Sequence, residues 1–241
     1  RSRSIWVSSE YAGASRLLIQ NEEVVRMYPE DRTLSDRSNT IRMITRLQNG
    51  DIWVGTRRGG VYTYDKELHK KDKIHYYHSN IYAVAEDGDG QLWLGSRGDG
   101  LCIGNTWYTH KAEESSLSRN QIFSIYRDRK DRMWVGTFGG GLDLGVKTET
   151  GYEFLHFLNK TYSQKQIRVI TEDDSGWMWV GTSDGVYVFQ PDSLIANPDN
   201  YLEYNTRNGK LRNNEVKCLC LDSKGRMWVG TSGAGFSVCE P

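Results

Sequence analysis

The strongest constraint on this chain is a short motif that keeps returning. Trp-Val-Gly-Thr or a near variant stands at Trp53 to Thr56, Trp93 to Ser96, Trp134 to Thr137, Trp179 to Thr182 and Trp228 to Thr231, with a degenerate sixth copy at Trp6-Val7-Ser8-Ser9. Successive tryptophans are 47, 40, 41, 45 and 49 residues apart, a loose period in the range of four-stranded propeller blades. The uneven spacing places the variation in loops.

The flanks of each copy read as strands. About ten residues before each later Trp lies an apolar-rich run, at Ile41 to Leu47, Ile81 to Ala85, Ile122 to Tyr126, Ile167 to Thr171 and Val216 to Leu221, too short for a helix. Tight turns follow at Asn49-Gly50, Asp89-Gly90, Lys130-Asp131, Ser175-Gly176 and Lys224-Gly225, pairs suited to the positive φ of short hairpins. The Trp strand is therefore the second strand. A glycine-rich corner and a third strand come next, as at Val61 to Tyr64 or Val186 to Phe189. Aromatic runs at Ile74 to Tyr77, Trp107 to His110, Phe154 to Leu158 and Tyr201 to Tyr204 fill the fourth position. The expected fold is all-β: a β-propeller of four-stranded antiparallel blades in about six repeats.

Composition agrees, with 8 Trp, 14 Tyr and 25 Gly against 4 Pro. Lys plus Arg equals Asp plus Glu at 31 each, so no overall field marks nucleic acid or an anionic membrane as a partner. No run approaches the roughly 18 apolar residues a membrane helix needs. One propeller domain is expected over 1–241, with an incomplete blade at 1–38, blades at about 39–78, 79–118, 119–163 and 164–212, and an incomplete blade at 213–241. With the first copy opening at its second strand and the last ending at its third, about 22 strands are expected, and the chain reads as an excerpt of a longer array.

A lone four-stranded sheet cannot bury both faces, so blades must stack, and the structural wedges are Trp6, Trp53, Trp93, Trp134, Trp179 and Trp228. The glycine of the motif is expected to permit close approach, and its Thr or Ser to satisfy the corner by a local hydrogen bond. Cys102, Cys218, Cys220 and Cys239 lack metal-ligand spacing and read as buried free thiols, with no cofactor or metal expected. Glu86-Asp87, Glu172-Asp173 and Asp128 recur beside the hairpins, where turn hydrogen bonding is the expected role rather than paired-carboxylate catalysis. No histidine sits in a nucleophile motif.

Ile81 to Leu101, reading Ile-Tyr-Ala-Val-Ala-Glu-Asp-Gly-Asp-Gly-Gln-Leu-Trp-Leu-Gly-Ser-Arg-Gly-Asp-Gly-Leu, resembles the two-component regulator propeller repeat almost throughout, and Ile167 to Gly185 repeats the pattern. The first copy departs from it, with Ser8-Ser9 in place of Gly-Thr and Glu10-Tyr11 in the corner. The resemblance implies the periplasmic sensor region of an inner-membrane hybrid two-component receptor, homodimeric in the parent, with the histidine kinase and membrane span outside this chain. It favours an oligosaccharide ligand and no catalysis by this domain.

Binding in propellers gathers where second-to-third corners and inter-blade connections meet around the channel. The corners supply Arg57, Arg58, Arg97, Asp99, Phe138, Ser183 and Asp184, with Glu10 and Tyr11 in the first copy. A second variable position, the residue after the head of each first strand, supplies Arg42, Tyr82, Phe123, Arg168 and Lys217. Rings stack on pyranose faces and guanidinium groups bind carboxylate or sulfate in bidentate fashion, so the expected oligosaccharide ligand is permitted to be acidic. The alternatives are a protein-docking or dimerisation surface, and a propeller lyase resembling streptogramin lyase.

Overall fold

A computed structural model of the chain describes residues 40–57, 60–67, 69–74, 80–112 and 115–239, with backbone alone for 72–74 and for the three strands at 4–8, 14–18 and 23–27. The first sheet orders β1 (Ser4–Ser8), β2 (Ala14–Leu18) and β3 (Glu23–Met27). The second runs β4 (Ile41–Arg46), β5 (Ile52–Thr56), β6 (Val61–Tyr64) and β7 (Lys70–Ile74), and the third β8 (Ile81–Glu86), β9 (Leu92–Ser96), β10 (Leu101–Ile103) and β11 (Thr106–Tyr108). The fourth comprises β12 (Ile122–Arg127), β13 (Met133–Thr137), β14 (Gly141–Thr148) and β15 (Gly151–Phe157). In the fifth, β16 (Val169–Glu172), β17 (Met178–Thr182) and β18 (Gly185–Phe189) lead through helix α1 (Pro191–Ala196) to β19 (Leu202–Tyr204). The last sheet is β20 (Val216–Leu221), β21 (Met227–Thr231) and β22 (Phe236–Cys239). The architecture is an all-β propeller of antiparallel meanders: four sheets of four strands and two of three, or 22 strands among the described residues.

The sheets meet in chain order through their first strands, β4 with β8, β8 with β12, β12 with β16 and β16 with β20, while β1 touches β4. The core lies between sheets rather than within one. Trp134, Leu142 and Leu144 of the fourth sheet pack on Ile167, Ile170, Met178 and Val180 of the fifth. Trp93, Trp53 and Trp179 repeat the arrangement against the sheet that follows each. Trp53, Trp93, Trp134 and Trp179 thus act as wedges; the Trp6 side chain lies outside the described residues, and Trp228 in the last sheet is only partly buried.

The motif glycine is a notch for the next sheet. A Cβ on Gly136 would stand 2.5 Å from Ile167 Cγ2, and one on Gly95 would stand 2.4 Å from Ile122 Cγ2. At these two positions the residue heading the next first strand fills the space that the missing side chain leaves, whereas at Gly55 the nearest side chain is Met43 of the same sheet. Gly136→Ala should therefore push sheets apart and cost about 1–3 kcal/mol, read as a lower urea midpoint; an unchanged midpoint would show that the interface yields freely.

The motif hydroxyl spans the corner by donating to a carbonyl, Thr137 to Gly141 at 2.9 Å and Thr182 to Gly185 at 3.0 Å. Ser96 and Thr182 also accept corner amides, from Asp99 at 2.7 Å and Asp184 at 2.9 Å. All five hairpin positions carry the expected positive φ, at Gly50, Gly90, Asp131, Gly176 and Gly225.

The hairpin aspartates do structural work. Asp173 Oδ1 accepts the amides of Ser175 (2.9 Å) and Trp177 (3.0 Å), and its Oδ2 accepts the indole N–H of Trp179 at 2.8 Å. Asp87, Asp128 and Asp222 repeat the clamp on Trp93, Trp134 and Trp228. The Trp228 indole and the Arg226 backbone hold Asp222 well below the usual carboxylate range. Glu86 and Glu172 reach backward and accept the amides of Gln48 (2.7 Å) and Arg129 (3.2 Å) in the preceding hairpin.

Three details depart from the sequence reading. The outer strand expected at Ile74 to Tyr77 lies earlier, at Lys70–Ile74, with 75–79 outside the described residues. The short helix α1 was not expected; Pro191 opens it, and Asp192 pairs with Lys130 and Arg132 of the preceding hairpin, both at 2.5 Å. All four cysteines are free, but burial holds only for Cys102, since Cys218 and Cys220 are exposed and Cys239 is intermediate.

Candidate functional site

The first strands do not pair straight through. The register with the second strand slips between Ile41 and Met43, Ile81 and Ala83, Ile122 and Ser124, and Val216 and Cys218. The residue bulged out at each slip is Arg42, Tyr82, Phe123 or Lys217. In the fifth sheet Arg168 holds the same position, its amide donating to the Gly181 carbonyl at 3.0 Å just before β16 begins. A β-bulge turns its side chain away from the ladder, so this position can project long or aromatic groups from the second to sixth sheets toward one end of the propeller.

At that end the corners are pinned by the loops leading into the next sheet. Arg97 pairs with Gln121 and Phe138 with Gln166 in isolated bridges. The Asn120 carbonyl accepts the amides of both Gly98 and Gly100 at 3.1 Å, and the Lys165 carbonyl those of Gly139 (2.8 Å) and Gly141 (3.2 Å). The Arg57 amide bonds within its own sheet instead, donating to the Thr40 carbonyl just before β4 at 2.9 Å.

Bulged and corner residues together form a ladder of rings and cations across several sheets. Tyr82 lies 4.9 Å from Phe123, and Phe123 lies 5.2 Å from Phe138, centroid to centroid. The Arg42 guanidinium sits 5.5 Å from the Tyr82 centroid, and Arg97 lies 5.8 Å from Tyr82 and 5.9 Å from Phe123. Arg168 covers Phe138 at 5.0 Å. Such stacking fixes the guanidinium planes while leaving N–H edges available.

A cleft of about 810 Å³ opens over the middle of this ladder. Its cations are Arg97, Arg119, Lys165 and Arg168, its amides Gln121 and Gln166, and its rings Phe123, Phe138 and Tyr162. No carboxylate or imidazole is among these lining residues. Tyr162 is 77 % exposed at the rim. The buried Nε atoms of Arg42 and Arg168 have no hydrogen-bond partner, so donors remain to be used.

The structure gathers Arg97, Phe123, Phe138 and Arg168 at the cleft, with Arg42 and Tyr82 continuing the ladder on one side. Lys217 stands on the other side, paired with Glu215. Asp184 is taken up elsewhere, accepting from Arg207 (3.0 Å) and from the Tyr187 hydroxyl (3.1 Å). Asp99 turns back on its own corner through Ser96, and the Ser183 hydroxyl is buried with no hydrogen-bond partner. The Arg57 side chain is not part of the cleft lining. Arg58, Glu10 and Tyr11 lie outside the described residues. Sequence reasoning missed Arg119, Gln121, Tyr162, Lys165 and Gln166, all in connections between sheets; the available signal was their place just before a first-strand head.

Successive antiparallel meanders stacked through their first strands, with a cleft where corners meet connections, define a β-propeller. The family model for the two-component regulator propeller matches residues 78–98, 116–139, 161–184 and 210–233. The chain aligns over 99 % of its length with 40 % of the extracellular domain of a putative hybrid two-component system from B. thetaiotaomicron, at 18 % identity and TM-score 0.57. It also aligns over 98 % with 37 % of PorZ, a surface component of the type-IX secretion system of Porphyromonas gingivalis, at 16 % identity and TM-score 0.73. Virginiamycin B lyase from Staphylococcus aureus aligns with the whole chain over 81 % of its own length, at 13 % identity and TM-score 0.69. These likenesses are of fold, and the chain spans less than half of the first two structures. Comparison with curated proteins found no match.

Proposed function

We propose that this propeller is the sensing part of a periplasmic receptor region in a hybrid two-component system, and that its cleft takes an acidic oligosaccharide. The lining carries the reading: four cations beside stacked rings and, among the described residues, no acid in the lining and only Arg168 of the four ion-paired, to Glu215. Anionic groups on a sugar would meet guanidinium edges, and ring faces would meet pyranose faces. The family-model matches and the fold shared with an extracellular two-component domain support the receptor setting. In that setting the kinase and the membrane span belong to polypeptide outside this chain, and the parent acts as a homodimer. No helix among the described residues is long and apolar enough to cross a membrane. A lyase is the less supported reading despite the shared fold, because histidine, the commonest general acid–base group, and the carboxylates are missing from the lining residues, which leaves only Tyr162 and Lys165 as candidates there.

Calorimetric titration with matched neutral and uronate- or sulfate-bearing oligosaccharides tests this. Saturable one-site binding is expected for the acidic members alone, weakening as salt rises. Arg97→Ala with Arg168→Ala should lower the affinity by at least about 30-fold, given the strength of hydrogen bonds to charged groups. Silence across the panel from folded protein would overturn the glycan reading and favour a protein-docking face.

A further inference from the structure

Arg168 differs from the other cleft cations in having a resident acid. Its Nη2 donates to Glu215 Oε1 at 3.1 Å, whereas no carboxylate pairs with Arg97, Arg119 or Lys165 among the described residues. Glu215 stands one residue before the head of β20, anchored on both sides of its backbone. Its amide donates to Asn213 Oδ1 at 2.8 Å, and its carbonyl accepts the Ser232 amide at 2.9 Å. The same Oε1 also receives the Lys217 ammonium. One fixed carboxylate thus serves two cations from neighbouring sheets.

The geometry around Arg168 is half-finished for an anion. In a guanidinium, Nε and Nη2 donate in parallel along one edge, the edge that a carboxylate or sulfate grips with two oxygens. Here Phe138 covers the face of the guanidinium, Nη2 is given to Glu215, and Nε is buried without a hydrogen-bond partner. Nη2 carries two N–H groups, and Glu215 takes one of them, so an oxyanion gripping the same end of the guanidinium competes with Glu215 for its charge and orientation. Lys217 is placed to keep the displaced carboxylate paired, which removes the cost of stranding it.

We propose that Glu215 is a built-in competitor for Arg168, a specificity-determining counter-ion with which a ligand oxyanion must compete. It sets a threshold: groups offering one weak acceptor leave the resident pair in place, and doubly coordinating oxyanions replace it. The proposal deepens the cleft reading and rests on it for the glycan, but its central exchange is tested without any sugar.

The test is calorimetric titration of the whole chain with inorganic sulfate. Glu215→Gln removes the competing charge and should tighten sulfate binding about tenfold, the worth of one charge-assisted hydrogen bond. Glu215→Asp keeps the charge on a shorter reach and should gain less. In the double variant Glu215→Gln with Arg168→Gln the gain should vanish. Unchanged or weaker sulfate binding in Glu215→Gln, or a gain that survives the loss of Arg168, overturns the proposal. An intact sulfate gain alongside silence toward every oligosaccharide would sink the glycan reading and leave the role of Glu215 standing.

Discussion

Trp134→Ala should remove about 3–5 kcal/mol of unfolding free energy, the usual cost of emptying a large aromatic site in a core. Trp134 is completely buried, with Phe157 and Phe189 rings at 5.8 and 6.0 Å and its indole N–H on Asp128 at 3.0 Å. The side chain fills the joint between the fourth and fifth sheets, so its loss opens a cavity and also leaves a buried carboxylate oxygen short of a donor. The joint cannot easily collapse, because Gly136 already holds Ile167 at the closest approach that the backbone permits. Trp228→Ala is the internal comparison: that ring is only partly buried and stacks on a Phe236 that is 64 % exposed. Urea denaturation should place the first variant well below the second. Equal midpoints would refute the wedge role of the buried tryptophans.

Asp173→Ala should cost about 2–4 kcal/mol, because one buried carboxylate supplies the acceptors for two turn amides and one buried indole. None of those three donors has an alternative partner in the turn, and the hairpin would have to open toward water to satisfy them. Asp173→Asn should recover part of the loss, since its single carbonyl oxygen can still accept from the turn. Heat denaturation of both variants reads the difference. A neutral Asp173→Ala would mean that water replaces the clamp at no cost.

The second sheet shows how far such details can be read from residues. Counting six back from Trp53 lands on Leu47, not Asp, and the turn there is held by other side chains. The side chains of Asn49 and Asp51 bond across the turn, Asn49 Oδ1 accepting the Asp51 amide at 2.9 Å. Hairpins, second strands and wedges were legible because each is written locally, in a Gly or Asp demanding positive φ or in a Trp spaced from its turn. The site was only half legible. Corner residues could be counted forward from the motif, but whether Asp184 faces the cleft or turns to Arg207 depends on a neighbour 23 residues away. The bulge that projects Phe123 is a property of pairing between strands, which no residue type announces. The helix at Pro191–Ala196 was invisible for a simpler reason, being too short to show periodicity.

The corner-to-connection clasp has a consequence for how such a surface can change. The bonds described there run from backbone amides to backbone carbonyls; the acceptors at Asn120 and Lys165 are indifferent to the side chains those two positions bear, while the donors at Gly98, Gly100, Gly139 and Gly141 stay glycine because their φ is positive. Stability and recognition are thereby assigned to different atoms of the same residues. Substitutions along the rim can rewrite what the molecule recognises without weakening the seams between its sheets, so this scaffold is suited to acquiring new ligands by drift at its loops, one residue at a time.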